Sequence, residues 1–297
     1  MLNAVGFAEQ TPVKFEFFGC RLTVPSAHLL RSWFDPKSRL YEPYRESGLI
    51  KLAQALSERS GTAIDIGANV GDTCAILHRY SRLNILSIEA SDFFFPYLQE
   101  NVERCFSGRA TARQAFVLPN DAATAKALYH WGATAKPVDG MRTENCETVA
   151  VADLIASAGE VALFKTDTDG LDIELISAVL GCGRRFPIYF EYEFAGDNQE
   201  HITEHAKRFQ RLLMDAANVG YYSAFAWDAP GRFYGLLDLK HPRTALNAVN
   251  YLGHNKHQSV WGYDICLIHQ TDADAANRLC ELISRDTLLP VAVNWAI

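Results

Sequence analysis

The chain has 297 residues, 48% hydrophobic and 21% charged, an ordinary globular composition that excludes a disordered polymer. Its 28 Lys and Arg against 35 Asp and Glu leave a net charge of −7, and its basic stretches (Gly183-Arg184-Arg185; Lys207-Arg208 with Arg211) are short, which argues against bulk nucleic acid as a partner. No apolar run approaches the roughly 18 residues of a membrane span. Met1-Leu2-Asn3-Ala4-Val5-Gly6 lacks the charged and apolar regions of a signal peptide, and seven cysteines without a Cys-x-x-Cys read as free thiols of a reducing cytoplasm.

Residues 1–60 read as an N-terminal extension of hairpin and helix, and residues 61–297 as the main domain. Val13-Lys14-Phe15-Glu16-Phe17-Phe18 alternates, Gly19 offers a turn, and Arg21-Leu22-Thr23-Val24 returns as a second strand. A helix is expected from about Glu46 to Arg59, stopped by Gly61, with Leu49, Ile50, Leu52, Ala53 and Leu56 on one face. From residue 62 strand and helix alternate. Strands are expected at Thr62–Ile66, Asn84–Glu89, Ala112–Leu118, Val161–Asp167, Ile188–Glu193, Tyr221–Asp228, Phe233–Leu237 and Asp264–His269. Helices are expected at Asp72–Tyr80, Ser91–Val102 with Ser91 as the cap, Val151–Ala158, Asp172–Leu180, His201–Ala217 and Asp272–Arg285, while residues 119–148 read as loop. This alternation predicts an α/β fold with a doubly wound, mostly parallel sheet.

The stretch Ala63-Ile64-Asp65-Ile66-Gly67-Ala68-Asn69-Val70-Gly71-Asp72-Thr73 carries an apolar strand into closely spaced glycines and then a helix. Such a turn sets backbone N–H groups against a ligand at the carboxyl edge of a sheet. A dinucleotide fingerprint needs G-x-G-x-x-G, whereas Asn69 and Asp72 stand at its second and third glycines. Asp65 and Asp72 add negative charge where a pyrophosphate would sit. That pair suits a cation, such as the sulfonium and ammonium of S-adenosylmethionine (SAM). Glu89 ends the next strand, 22 residues after Gly67, where its carboxylate can accept from both ribose hydroxyls. The expected cofactor site is therefore Asp65, Gly67, Ala68, Asn69, Gly71 and Asp72 around the methionine part, with Glu89 on the ribose. A dinucleotide-dependent oxidoreductase, a non-catalytic SAM-binding module and a purely structural turn are the competing readings.

Three segments resemble the FkbM-type methyltransferases, a SAM-dependent family with the Rossmann-like class I methyltransferase fold. They are Ile64-Asp65-Ile66-Gly67-Ala68-Asn69-Val70-Gly71, Ile88-Glu89-Ala90 with Leu98-x-x-Asn101-Val102, and Phe164-Lys165-Thr166-Asp167-Thr168-Asp169-Gly170. The third departs from the family's Lys-Ile-Asp-Val-Glu-Gly by placing Asp169 for Glu and Thr168 for Val. The resemblance implies methyl transfer from SAM, leaving S-adenosylhomocysteine, to a hydroxyl of a small molecule or a sugar.

The remaining acids concentrate at strand tips. Strand periodicity sends Lys165 and Asp167 to one face, and Glu191 and Glu193 to one side of the following strand. A hydroxyl nucleophile must lose its proton as the C–O bond forms, so Asp167, with Lys165 or Glu191, is the expected catalytic group. A divalent metal held by Asp167, Asp169, Glu191 and Glu193 is the less favoured alternative. His201-Ile202-Thr203-Glu204-His205 matches a metalloprotease spacing but is read as a solvated helix face. His254-Asn255-Lys256-His257 is placed in a loop at the substrate entrance. Tyr129-His130-Trp131, Trp227, Phe233-Tyr234 and Trp261-Gly262-Tyr263 read as core filling in preference to a stacking surface.

Overall fold

A computed structural model describes residues 11–106, 108–120, 127–131, 134–138, 146–193, 199–253 and 262–286. The chain opens with a hairpin, β1 (Pro12–Phe17) and β2 (Cys20–Pro25), followed by the short helix α1 (Leu30–Phe34) and by α2 (Ser47–Ala55). Alternating segments then give β3 (Thr62–Ile66), α3 (Asp72–Tyr80), β4 (Asn84–Glu89), α4 (Phe95–Cys105) and β5 (Ala110–Leu118). A second hairpin, β6 (Ala127–Trp131) and β7 (Thr134–Val138), precedes β8 (Glu147–Ala150), α5 (Val151–Ser157), β9 (Val161–Thr166), α6 (Asp172–Gly181) and β10 (Ile188–Glu193). The chain continues through α7 (Gln199–Asn218), β11 (Tyr221–Asp228), β12 (Phe233–Asp238), α8 (Pro242–Gly253), β13 (Gly262–His269) and α9 (Ala273–Asp286).

Among the described residues nine strands form one sheet in the order β12-β11-β13-β10-β9-β3-β4-β5-β8. The pairs from β10 through β8 are parallel, and β13 runs antiparallel to both β10 and β11. This is the mixed α/β, Rossmann-like arrangement expected from the strand–helix alternation. Buried apolar residues cover both faces. One layer gathers α5, α6 and α7, and the other gathers α2, α3, α4 and α9 with the N-terminal hairpin. The central strands are apolar on both faces because helices cover each; every residue of β9 is buried.

The first sixty residues are tied to the sheet by Asn101. This fully buried amide donates to the Thr23 and Val70 carbonyls at 2.8 Å each and accepts from the Thr23 N–H at 2.7 Å. Five elements of the described chain are not among those expected: α1, β6, β7, β8 and α8. The regular helix after β4 starts at Phe95, and the turn before it is capped as expected by Ser91, whose Oγ accepts from the Phe93 and Phe94 N–H groups and whose carbonyl accepts from the Phe95 N–H at 2.9 Å. No helix of the described chain is long and apolar enough to cross a membrane.

Candidate active site at the sheet crossover

The strand order reverses between β3 and β9, with β4 and β5 on one side and β10 on the other. Such a switch point opens a crevice beyond the carboxyl ends of the strands. Gly67, at φ +76°, makes the crevice by allowing the two tips to touch: a Cβ there would overlap the Asp167 carbonyl oxygen. The Asp167 N–H in turn donates to the Ile66 carbonyl at 3.0 Å.

The turn after β3 is organised differently from the expected N–H cradle. Gly67 and Ala68 both donate to the Ile88 carbonyl at 3.0 Å, Gly71 donates to Ala68 at 2.8 Å, and the Asn69 N–H donates to Glu89 Oε2 at 2.8 Å. Ala68 is buried, and Asn69 takes positive φ so that its side-chain oxygen meets His28 Nε2 at 3.0 Å. The turn therefore offers its backbone surface to the crevice while its N–H groups hold the loop together.

Glu89 lies at the floor of a cleft of about 520 Å³ that opens to solvent. Its walls are apolar, with Ile88, Phe94, Val117, Leu128 and Pro137 among them. The second oxygen of Glu89 accepts the Ser91 N–H at 2.8 Å. Burial pushes this carboxyl up to about 7, against the pull of its backbone N–H partners.

Lys165 is buried between Asp65, at 3.2 Å, and Asp167, at 3.5 Å. Burial disfavours its charge, but the surrounding carboxylates, Asp65 foremost, outweigh burial and raise its pKa. Asp65 has no exposed surface and is pushed up to about 6 by burial, opposed by Lys165. Asp65 thus stands behind Lys165 as its counter-ion, while Asp72 lines the open cavity. The Asp167 carboxylate is 46% exposed and faces that cavity. Asp172, at the start of α6, accepts from Thr166 Oγ1 at 2.9 Å and from Thr168 Oγ1 at 3.0 Å, and so fixes the loop that carries Asp167 and Asp169.

Asp169, Glu191 and Glu193 converge, each offering an oxygen within 4.8 Å of the others. Such oxygen donors suit a hard cation. Lys136 from the β6–β7 hairpin already reaches into the group, 3.1 Å from Glu193 and 3.5 Å from Asp169. Burial, then Asp167, pushes Asp169 up to about 8; burial and the neighbouring acids hold Glu191 well above the carboxylate range.

His28, Arg45, Glu46, Lys136, Tyr189 and Asp264 line the crevice and went unremarked in the sequence. The expectation of a solvated helix face is corrected at His205, whose ring is half-buried and stacks on Tyr192 at 5.3 Å and 5°. The His201 side chain, His254–His257 and Trp261 lie outside the described residues. Trp227 and Tyr263 are core, and Tyr129 is exposed.

The fold and the site together define a Rossmann-like α/β protein whose crossover crevice joins a largely apolar cleft to an acidic chamber. No protein-family model and no curated protein sequence matches the chain. Among solved structures it is similar to TYW2 of M. jannaschii in complex with AdoMet, at 12% identity over 88% of this chain and 86% of that one, with a TM-score of 0.44. It is also similar to geranyl diphosphate C-methyltransferase from Streptomyces coelicolor, at 12% identity over 80% and 88%, with a TM-score of 0.40. A third is the precorrin-6y methyltransferase of Geobacter metallireducens, at 11% identity over 76% and 88%, with a TM-score of 0.38.

Proposed function

We propose that this chain is a class I methyltransferase that binds SAM and methylates a hydroxyl of a small or carbohydrate acceptor. The observation that carries this reading is Glu89. It is a buried carboxylate at the tip of the strand beside the glycine turn, lining a cleft whose walls are largely apolar. An adenosine needs that combination: flat apolar walls for the base and one acceptor for the ribose hydroxyls. The adjoining chamber, rich in carboxylates, suits the cationic end of the same molecule better than it suits a pyrophosphate. The resemblance to FkbM-type methyltransferases in the glycine turn and in Lys165–Gly170 supports the same assignment, and seven unpaired cysteines support a reducing compartment such as the cytoplasm.

In this reading Glu89 accepts from the ribose hydroxyls, and Asn69 and Asp72 border the methionine part. SAM supplies a methyl group already activated on a sulfonium. Asp167 is the base: an exposed carboxylate at the chamber wall, it takes the proton of the acceptor hydroxyl as the oxygen bonds to carbon. Lys165 holds a raised pKa and two carboxylate contacts, so it fixes Asp167 as a permanent charge and does not itself accept the proton. Glu191 stands in the same chamber as Asp167 and helps to hold the acceptor. Residues 1–60 act as a cap, since His28 and Arg45 border the chamber from that segment.

Calorimetric titration with SAM and S-adenosylhomocysteine tests the assignment directly. Saturable binding to wild type is expected. Heat on titrating NADH, with none for either adenosyl compound, would establish the oxidoreductase reading instead.

A further inference from the structure

The chamber beside the Glu89 cleft encloses about 1260 Å³ open to solvent and shares Gly67, Asn69, Asp167 and Asp169 with it. Sheet register explains its lining. Asp65, Lys165 and Tyr189 are neighbours in one row across β3, β9 and β10, while Glu191 faces Asp264 across β10 and β13 in the next. Among the described residues seven carboxylates line the chamber against three cations.

Those cations are already engaged. Lys165 is held by Asp65 and Asp167, and Lys136 by Glu193 and Asp169. Arg45 lies over the Trp33 ring, 2.7 Å from Glu42 and 3.9 Å from Glu46. Among the described residues Glu191 and Asp264 have no ion-pair partner. These two carboxylates exceed what the cationic end of the cofactor requires, since Asp72 follows the glycine turn directly.

Acidic groups alone are common on proteins, but a second feature of the chamber points to a ligand. Tyr189 is 2% exposed and lines the same cavity, and its buried hydroxyl is directed at the Asp264 carboxylate without a well-formed hydrogen bond. A buried hydroxyl short of its full hydrogen-bond complement is destabilising until something completes it. It can donate to a carboxylate and accept from an N–H at once. Lys136 gives an internal precedent at the chamber mouth, where one alkylammonium already sits between two carboxylates.

We infer that the chamber recognises an acceptor bearing a protonated amine, an amino sugar or amino alcohol whose hydroxyl is methylated, with Glu191, Asp264 and the Tyr189 hydroxyl around the ammonium. The inference rests on the methyltransferase reading. Size favours an organic amine over a bare divalent ion, since the cavity admits a small molecule, and Lys136 already occupies the Asp169–Glu193 pair.

The test is calorimetry on the full chain saturated with S-adenosylhomocysteine, titrated with glucosamine and with glucose at about pH 6.5, where an amine of this type is protonated. Glucosamine is expected to bind ~10-fold or more tightly than glucose, the scale of a charge-assisted hydrogen-bond set. The preference should shrink in Asp264→Asn and, separately, in Tyr189→Phe, with affinity for S-adenosylhomocysteine unchanged in both, which also shows that the variants are folded. Equal affinity for the two sugars, or a preference untouched by both substitutions, overturns the inference. So does stoichiometric binding of Mg²⁺ or Mn²⁺ that Asp264→Asn abolishes, because the chamber is then a metal site. Failure to bind S-adenosylhomocysteine at all overturns the reading beneath it, so the two failures are separable.

Discussion

The crevice is built twice over from the same strand ends, and its halves are opposites. On the β4–β5 side the walls are mostly apolar, with Glu89 braced by the Asn69 and Ser91 N–H groups and with Asp167 and Asp169 at the boundary with the chamber. On the β10–β13 side the register stacks carboxylates against one another, with Glu191 facing Asp264 and Asp169 beside Glu193. In the proposed function the first half reads the neutral ribose and the second, rich in acids, receives positive charge. The halves meet at Gly67, where the β3 and β9 tips touch.

The partition is the place to break the molecule. Gly67→Ala must set a Cβ into the Asp167 carbonyl oxygen at a backbone φ of +76°. Strain and overlap together are expected to cost ~3 kcal/mol or more, read as a lower urea midpoint. Gly159→Ala, also at positive φ but with nothing nearby, is expected to cost only ~1 kcal/mol. Equal midpoints for the two variants would show that the tips do not need to touch.

Asp167→Asn tests the acidic side. It keeps shape and removes the base, so turnover should fall ~10²-fold or more while SAM still binds. Should SAM affinity collapse instead, with the rate restored at saturating SAM, Asp167 holds the methionine ammonium. Glu89→Ala tests the apolar side and should weaken SAM by about 1.5–3 kcal/mol in calorimetry, the range for hydrogen bonds to a charged group. Unchanged affinity in a folded variant would remove Glu89 from the site.

How much of this was legible differs between the halves. The glycine turn and Glu89 announce themselves, because an apolar strand, closely spaced glycines and a strand-end acid are local patterns. Asp167, Lys165, Glu191 and Glu193 were placed on shared faces by two-residue periodicity alone. What periodicity cannot show is which distant segment closes over them. His28 meets Asn69 across 41 residues and Lys136 meets Glu193 across 57. The β6–β7 hairpin also hides in a stretch rich in Ala, Thr and Gly, where strand propensity is low. Helix α8 begins at Pro242, which suits a first helical position but reads as a turn beside His241.

The two halves should also differ in how they respond to pH. In the folded chain Glu89 loses its proton at about 7, Asp264 at about 7 and Glu46 at about 8, burial being the largest cause at each. Unfolded carboxyls lose theirs near ~4. Between those values the folded state binds more protons than the unfolded one, so stability falls as pH rises. Scanning calorimetry is expected to give a higher Tm at about pH 5 than at about pH 8. Because two of the three groups belong to the chamber, Glu46→Gln with Asp264→Asn should flatten this dependence more than Glu89→Gln. A Tm that climbs with pH would contradict the whole assignment of buried, crowded acids.

The smallest expected effect lies just outside the chamber, at His205. Its imidazole stacks parallel on Tyr192, which in turn stacks on Phe209 at 3.7 Å, and burial lowers the pKa of the ring. A neutral ring in an aromatic stack serves packing, so His205→Ala should cost ~0.5–1.5 kcal/mol of stability. Methyl transfer should stay within about twofold of wild type, on the scale of errors in such comparisons. His205→Phe keeps the stack and should restore most of the loss. A catalytic or metal-binding His205 would behave differently, since phenylalanine can neither move a proton nor bind zinc. Stoichiometric zinc in purified wild type, absent from both variants, would make the His201–His205 spacing a metal site and carry the acidic half of the crevice with it.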